Sequence, residues 1–391
     1  MGLNKCVTAV VGAAISAAAL GTAAATHAAI CTIRNEKEHI LTLTPLEFAS
    51  MLSNPAYDAW FRKNLRCGQA AFVRLCAILR RELTDYELDR FVKEHTFEEK
   101  VACLLFFLGS QGGYRETTAA FGVLKSWALG VINLFVKSLR SSLHKFVHFP
   151  RSKTEWRRIE TEFQAKGGIA GVVGAIDGSL IKILRPDDFE GYYRRRMSPA
   201  VNVQAVVDAR MRFMSVEVRP GSWSDQKTWR ASALGSNATK YLPDGTHFLG
   251  DAGYAICPAI MTPFDEDDGA GLTRKQLRYN YLHSRTRMSV ECAFGLWKGR
   301  FRIVNCCLNT KNVEKAVDIV AATMVLHNLM LDINDDTLFK DDSGQEGGDT
   351  SDEKDGCTNC GCFVDKTARF LRVGARKRES IVAFTEAFEL V

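Results

Sequence analysis

Two short segments, Val172-Val-Gly-Ala-Ile-Asp-Gly178 and Phe248-Leu-Gly-Asp-Ala-Gly-Tyr254, each run an apolar stretch into an aspartate flanked by glycine. A carboxylate at the end of an apolar strand is costly to hold unless it faces solvent or a cation. The glycines beside Asp177 and Asp251 leave room for a bulky substrate backbone to come close. Further along, Glu291 borders the apolar stripe of an amphipathic helix, because Val290, Ala293, Phe294, Trp297 and Phe301 recur at helical spacing. Three carboxylates from two strand ends and one helix make a hard oxygen cage of the kind Mg²⁺ or Mn²⁺ prefers. Two such ions about 4 Å apart activate an attacking water and stabilise the leaving oxygen in an in-line phosphodiester displacement, with no need for a histidine or serine nucleophile. Taken singly, each Asp-Gly is an ordinary turn signal. Only the set carries the reading.

The elements that must position these acids are legible in outline. Runs rich in Val, Ile and Phe over Val172 to Asp177, Val201 to Val207 and Phe213 to Val218 predict three strands in an antiparallel meander. A helix-compatible stretch from Trp223 to Leu234 follows, then a strand at His247 to Tyr254 and two helices over 285–304 and 313–331. That order predicts an α/β fold. Residues 34–165 instead repeat helical spacing throughout, as in Phe72, Leu75, Cys76 and Leu79. Within them, 113–140 read as helix, glycine-containing turn and helix, an arrangement that can lay a recognition helix in a major groove. The second of these helices is mostly apolar (Trp127, Leu129, Val131, Ile132, Leu134, Phe135), so a plain buried hairpin stands beside the helix-turn-helix reading. The expected organisation is an apolar segment over 1–33, a helical domain over 34–165, the acid-bearing domain over 168–331, an acidic linker over 332–362 and a basic tail over 363–391.

Composition bounds the function classes. With 391 residues, 46% hydrophobic and 25% charged, the chain is neither mainly disordered nor mainly membrane-embedded. Residues 332–356 hold ten Asp and Glu against two Lys, so the rest of the chain is more basic than the net +6 suggests. Such a body suits a polyanionic partner, because neutralising phosphates releases condensed counterions. The twelve cysteines are scattered through helical segments and read as reduced thiols. Cys357, Cys360 and Cys362 cluster, but a structural zinc wants four ligands and no histidine follows His327. From Cys6 to Ile33 there is no formally charged side chain, the look of a secretory signal or a weak membrane span.

The stretches Ala175-Ile-Asp-Gly178, Asn202-Val-Gln-Ala-Val-Val-Asp208, Pro220-Gly-Ser-Trp-Ser-Asp225, Leu249-Gly-Asp-Ala-Gly-Tyr254, Val290-Glu-Cys-Ala-Phe-Gly-Leu-Trp-Lys-Gly-Arg-Phe-Arg302 and Val325-Leu-His-Asn328 occur in order. Together they resemble the PIF/Harbinger transposases and the nucleases derived from them, within the group using an Asp-Asp-Glu metal triad. The resemblance implies a ribonuclease-H-like core preceded by the helical region. It implies Asp177, Asp251 and Glu291 as first, second and third catalytic acids, Asp225 as an accessory metal residue, Mg²⁺ or Mn²⁺ as cofactor and DNA as substrate. It further implies strand transfer as an accompanying activity, a separate DNA-binding partner protein, homo-oligomers and a nuclear location, with no membrane partner expected; a secreted or tethered form follows only if residues 1–30 act as a signal. The rival expectation is a domesticated, non-cutting protein that keeps the fold. Arg194, Arg195 and Arg196 form one basic cluster for DNA, and Arg287, Lys298, Arg300 and Arg302 a second around Glu291. Asp208 reads as a turn residue and His327 as a structural histidine on an apolar helix face. The chain departs from the family pattern at Ser224 and Trp297, where His and Leu are common.

Overall fold

The computed structural model describes residues 48–83, 95–111, 113–186, 198–265, 271–335 and 364–385. The apolar segment over 1–33, Arg194, Arg195 and Arg196, the stretch 336–362 of the acidic linker and Cys357, Cys360 and Cys362 lie outside the described residues. The chain divides into two compact units.

The first unit runs to Ser141 and takes in Arg300–Ile303. Its helices are α1 (Phe48–Ser53), α2 (Asp58–Asn64), α3 (Gln69–Glu82), α4 (Phe97–Gly109), α5 (Gly113–Phe121) and α6 (Lys125–Ser141). A reciprocal capping box between Thr96 and Glu99 starts α4, whose side chains are buried on nearly every side. Helix α3 buries Phe72, Leu75, Cys76 and Leu79 at the spacing the sequence predicts. Helices α5 and α6 are bent by 111°, and the turn between them begins at Gly122, whose φ of 62° favours glycine. Helix α6 buries Ala128, Val131, Ile132, Phe135, Val136 and Leu139. Among the described residues no single helix is long and apolar enough to cross a membrane. The described cysteines are free, and burial pushes the Cys103 thiol up to about 12.

The second unit runs from Ser142 to Gly299 and from Val304 to Leu331, and includes the C-terminal helix. In order it holds α7 (Leu143–Phe146), α8 (Lys153–Gly167), β1 (Val172–Lys182), β2 (Ala200–Val207), β3 (Phe213–Pro220), α9 (Asp225–Ala231), α10 (Ala233–Tyr241), β4 (His247–Leu249), β5 (Ile260–Met261), α11 (Arg274–Arg300), α12 (Arg302–Asn305), α13 (Val313–Asp332) and α14 (Val364–Thr385). The strands form one mixed sheet in the order β3-β2-β1-β4-β5. β1, β2 and β3 pair antiparallel as a meander, whereas β4 runs parallel to β1 and β5 parallel to β4. Helix α8 buries Trp156, Ile159 and Phe163 in the same core as Val172, Val173 and Ile176 of β1, so residues 142–165 group with the sheet rather than with the preceding helices.

Three features differ from the sequence expectation. Strand β1 continues past Asp177, because Gly178 and Ser179 go on pairing with Gln204 and Val203; Asp177 is a mid-strand residue, not a strand end. The helix carrying Glu291 begins eleven residues earlier than expected, at Arg274, where Thr273 and Gln276 cap it reciprocally. The basic tail forms α14, which clasps the β4–β5 edge: the Lys377 amine donates to the carbonyls of Thr246 and Pro258 at 2.7 and 2.8 Å.

Helix α13 ties the meander in place. The His327 ring bonds the Met211 carbonyl at 2.9 Å and packs on Phe213, the structural role its apolar face implies. Asp208 is buried in the same turn and accepts from the backbone of Arg210 and Arg212. Asn328 accepts from the Phe213 N–H at 2.9 Å and donates to the carbonyls of Phe213 and Phe146 at 2.8 Å each. Asn328→Ala would strand three buried backbone groups, a loss of about 3 kcal/mol. Chemical denaturation of this variant should show a lower midpoint at unchanged slope; an unmoved midpoint would remove α13 as the anchor of the meander.

Candidate metal centre

The parallel pairing of β1 with β4 sets Ala175 opposite Leu249. Asp177 and Asp251 each follow two residues later, so adjacent strands deliver both carboxylates at one level of the sheet, near the carboxyl end of β4 where ligands of open α/β sheets gather. The third acid comes from α9. Ser224 caps that helix, its hydroxyl accepting from the Lys227 N–H at 3.3 Å, and Asp225 is the first residue inside. One carboxylate oxygen each from Asp177, Asp225 and Asp251 lies within 4.8 Å of the others.

Polar residues of an otherwise apolar strand hold this arrangement. All eight residues of β2 are buried, yet two are Asn202 and Gln204, and buried polar groups need partners. The Asn202 amide donates to Asp225 Oδ1 at 3.1 Å and to the Trp223 carbonyl at 3.0 Å. The Gln204 amide donates to the Asp225 carbonyl at 2.9 Å and to the Tyr254 hydroxyl at 2.8 Å. The glycines serve packing rather than substrate access. A Cβ on Gly178 would lie 2.0 Å from Asp225 Oδ1, and one on Gly250 would meet the Tyr254 ring at 2.9 Å.

Burial pushes the Asp177 carboxyl up to about 7; Arg287 opposes this, and the charges of Asp251 and Asp225 add to it. Burial first, and then the three carboxylates, raise the Tyr254 phenol well above its ordinary value, so it stays protonated. Arg287 on α11 answers the negative charge. Its Nη1 lies 3.1 Å from Asp177 Oδ2, and its Nη2 pairs with Glu291 one turn along. Glu291 is thus joined to Asp177 through a guanidinium. Its side chain is 50% exposed, and the clustered acids are Asp177, Asp225 and Asp251.

The donor set fits a hard divalent cation. It consists of carboxylate oxygens with no sulfur or imidazole among them, and the buried Asn202 Oδ1 beside them has no hydrogen-bond partner. Mg²⁺ or Mn²⁺ matches such ligands. Of the basic residues, Arg300 is buried and its guanidinium pairs with Asp335 at 2.5 Å. Lys298 and Arg302 are half-buried, and Arg287 faces the carboxylates rather than solvent. Sequence reasoning passed over Asn202, Gln204 and Tyr254 as site residues; two amides inside a continuous apolar run were the available signal.

Residues 176–328 match the family model described as DDE superfamily endonuclease. The Bos taurus protein named "Putative nuclease HARBI1" is 27% identical over 242 residues, covering 60% of this chain and 67% of its own length. Its Homo sapiens counterpart gives the same figures. "Protein ALP1-like" of Arabidopsis thaliana is 24% identical over 298 residues, covering 71% of this chain and 72% of its own. No solved structure matches the chain.

Two outcomes follow from this geometry. The folded Asp177 keeps a proton to about 7, whereas the unfolded chain releases it near 4. In the metal-free protein its contribution to stability therefore falls as pH rises between those values and is flat above 7. Because a cation must displace that proton, Mn²⁺ affinity by calorimetry should rise about tenfold per pH unit up to about 7 and then level off; a flat profile would place Asp177 outside the site. Gly178→Ala should weaken Mn²⁺ binding at least about tenfold with unchanged circular dichroism, because it pushes Asp225 aside. Unaltered affinity would remove Asp225 from the ligand set.

Proposed function

We propose that the chain is a metal-dependent DNA nuclease of the Harbinger type, a reading supported by the match of residues 176–328 to the DDE superfamily endonuclease model. The observation that carries the reading is the convergence of Asp177 in β1, Asp251 just past β4 and Asp225 at a helix start to within 4.8 Å. Bound there, a divalent cation supplies Lewis-acid polarisation of a phosphoryl oxygen and an acidified water for in-line attack. The chain's own residues hold and ready the site. Asp177, Asp225 and Asp251 are the ligands; Asn202 and Gln204 fix Asp225 at its carboxylate and its carbonyl. Asp177 gives up its proton on loading. Glu291 is the third acid of the family triad and joins the set when Arg287 releases it.

The sheet order β3-β2-β1-β4-β5, antiparallel over its first three strands and parallel beyond, supports a ribonuclease-H-like core. Strand transfer by the freed 3′-hydroxyl, a nuclear location and a separate DNA-binding partner belong to the same proposal. So does DNA reading by α5 and α6: their 111° bend falls within the range of DNA-reading helix pairs.

A second reading, binding without cleavage, is favoured by one observation: Glu291 is held by Arg287 and stands apart from the aspartate cluster. A nicking assay on supercoiled DNA with Mg²⁺ or Mn²⁺ separates the two. Under the nuclease reading Asp177→Asn and Asp251→Asn each lower nicking by roughly a hundredfold or more while DNA affinity holds. Arg287→Ala should tighten Mn²⁺ binding, since it removes a competing cation from Asp177. Wild-type protein that binds DNA and never nicks it establishes the second reading.

A further inference from the structure

Helix α11 runs eleven residues beyond the length the sequence suggests, and the lengthened helix carries an unusual surface. The three most exposed large apolar side chains among the described residues are Tyr281 at 64%, Met288 at 52% and Leu277 at 51%, and all lie on it. Their spacing of four and seven residues places them in one row along the helix. Three residues past Met288 the same row reaches Glu291, whose partner Arg287 touches Asp177. Beside it runs a second row at the same spacing, Arg274, Arg278 and Arg285, all exposed. From Gly271 to Val290 the sequence contains no Asp or Glu.

Each row alone has a bland explanation, since single apolar residues and basic faces are common on soluble proteins. Side by side they do not. A merely solvated basic face has no use for a row of large exposed apolar side chains. A second copy of this chain is disfavoured as occupant, because in a symmetric contact the same patch faces itself and three arginines would meet three arginines, with Glu291, already paired with Arg287, the one acid on that face from Gly271 to Glu291. Duplex DNA satisfies the arginines but conceals its bases in stacked pairs. An unpaired strand offers phosphates and open base faces together, and aromatic or apolar platforms beside cations are what such strands bind.

We infer that the exposed face of α11 ahead of Glu291 seats an unpaired DNA strand, its phosphates along Arg274, Arg278 and Arg285 and its bases on Leu277, Tyr281 and Met288, leading into the aspartate cluster. The choice of DNA as the polyanion rests on the nuclease reading above; the two rows do not. From Arg274 to Glu291 the helix spans about 26 Å, enough for several nucleotides.

The test is fluorescence anisotropy with the full chain in EDTA, comparing a blunt duplex with the same duplex bearing a single-stranded tail of about twelve nucleotides. Tyr281→Ala should lower affinity for the tailed DNA roughly tenfold and leave the blunt duplex unchanged, and Tyr281→Phe should restore the tailed binding. Arg278→Ala and Arg285→Ala should each reduce the salt dependence of binding by about one ion. Equal losses on both DNAs, or none, overturn the inference. So does analytical ultracentrifugation in which Tyr281→Ala turns a dimer into a monomer at unchanged DNA affinity, since the face would then be a contact between copies. Because binding is read without metal or cleavage, a protein that never nicks DNA sinks the nuclease reading alone, whereas an active nuclease indifferent to Tyr281 sinks this one alone.

Discussion

Mutual repulsion among three carboxylates is the constraint around which the second unit is built. Asp177, Asp225 and Asp251 bring oxygens within 4.8 Å of one another at a partly buried spot, where like charges raise one another's energy and water screens them poorly. Two features of the chain offset that energy: the guanidinium of Arg287 against Asp177 and the proton that burial keeps on the same carboxyl up to about 7. Both would have to be displaced by a cation entering the site, so each competes with metal for Asp177.

The scaffold makes that crowding possible by fixing where each acid sits. Parallel β1 and β4 fix two acids at one level, and Gly178 opens the space that the third one fills. Asn202 and Gln204 reach from the buried β2 to the loop and helix start that carry Asp225. At the far edge of the sheet α14 grips the starts of β4 and β5 through Lys377, and the Arg378 guanidinium stacks on Phe264 while donating to the Pro263 carbonyl at 2.7 Å. A tail that is basic in sequence spends these two charges on backbone carbonyls. Basic composition and a basic surface are therefore different quantities here, as the buried Arg300 with its Asp335 partner also shows.

Helix α11 unites the two halves of the chemistry. Its buried side carries Val290, Ala293 and Trp297 into the core, with the Trp297 indole donating to Thr323 at 3.0 Å. One flank holds Arg287 against Asp177, and its outer face presents arginines beside apolar side chains. One rigid rod thus fixes Arg287 and Glu291 relative to the acidic cluster and to the surface along which a polyanion can approach.

By itself the sequence determined what depends on local pattern and on ordered motifs. The β-branched runs of β1, β2 and β3, the helical spacing of α3, α11 and α13 and the apolar setting of Asp177 and Asp251 are readable because each reflects the burial of a single element. Only the tertiary structure decided which acids meet. Asp225 lies 48 residues from Asp177 and 26 from Asp251 in the chain, and although the family resemblance marks it as an accessory metal residue, nothing in its own helix start distinguishes a cap-adjacent aspartate from a ligand. Its place depends on a glycine in one strand and an amide in another. Glu291, legible as a helix residue bordering the core, stands apart for the complementary reason: a cation one turn earlier on its own helix is nearer than the cluster, and the contest between Arg287 and the aspartates is settled by distances that no spacing along the chain encodes.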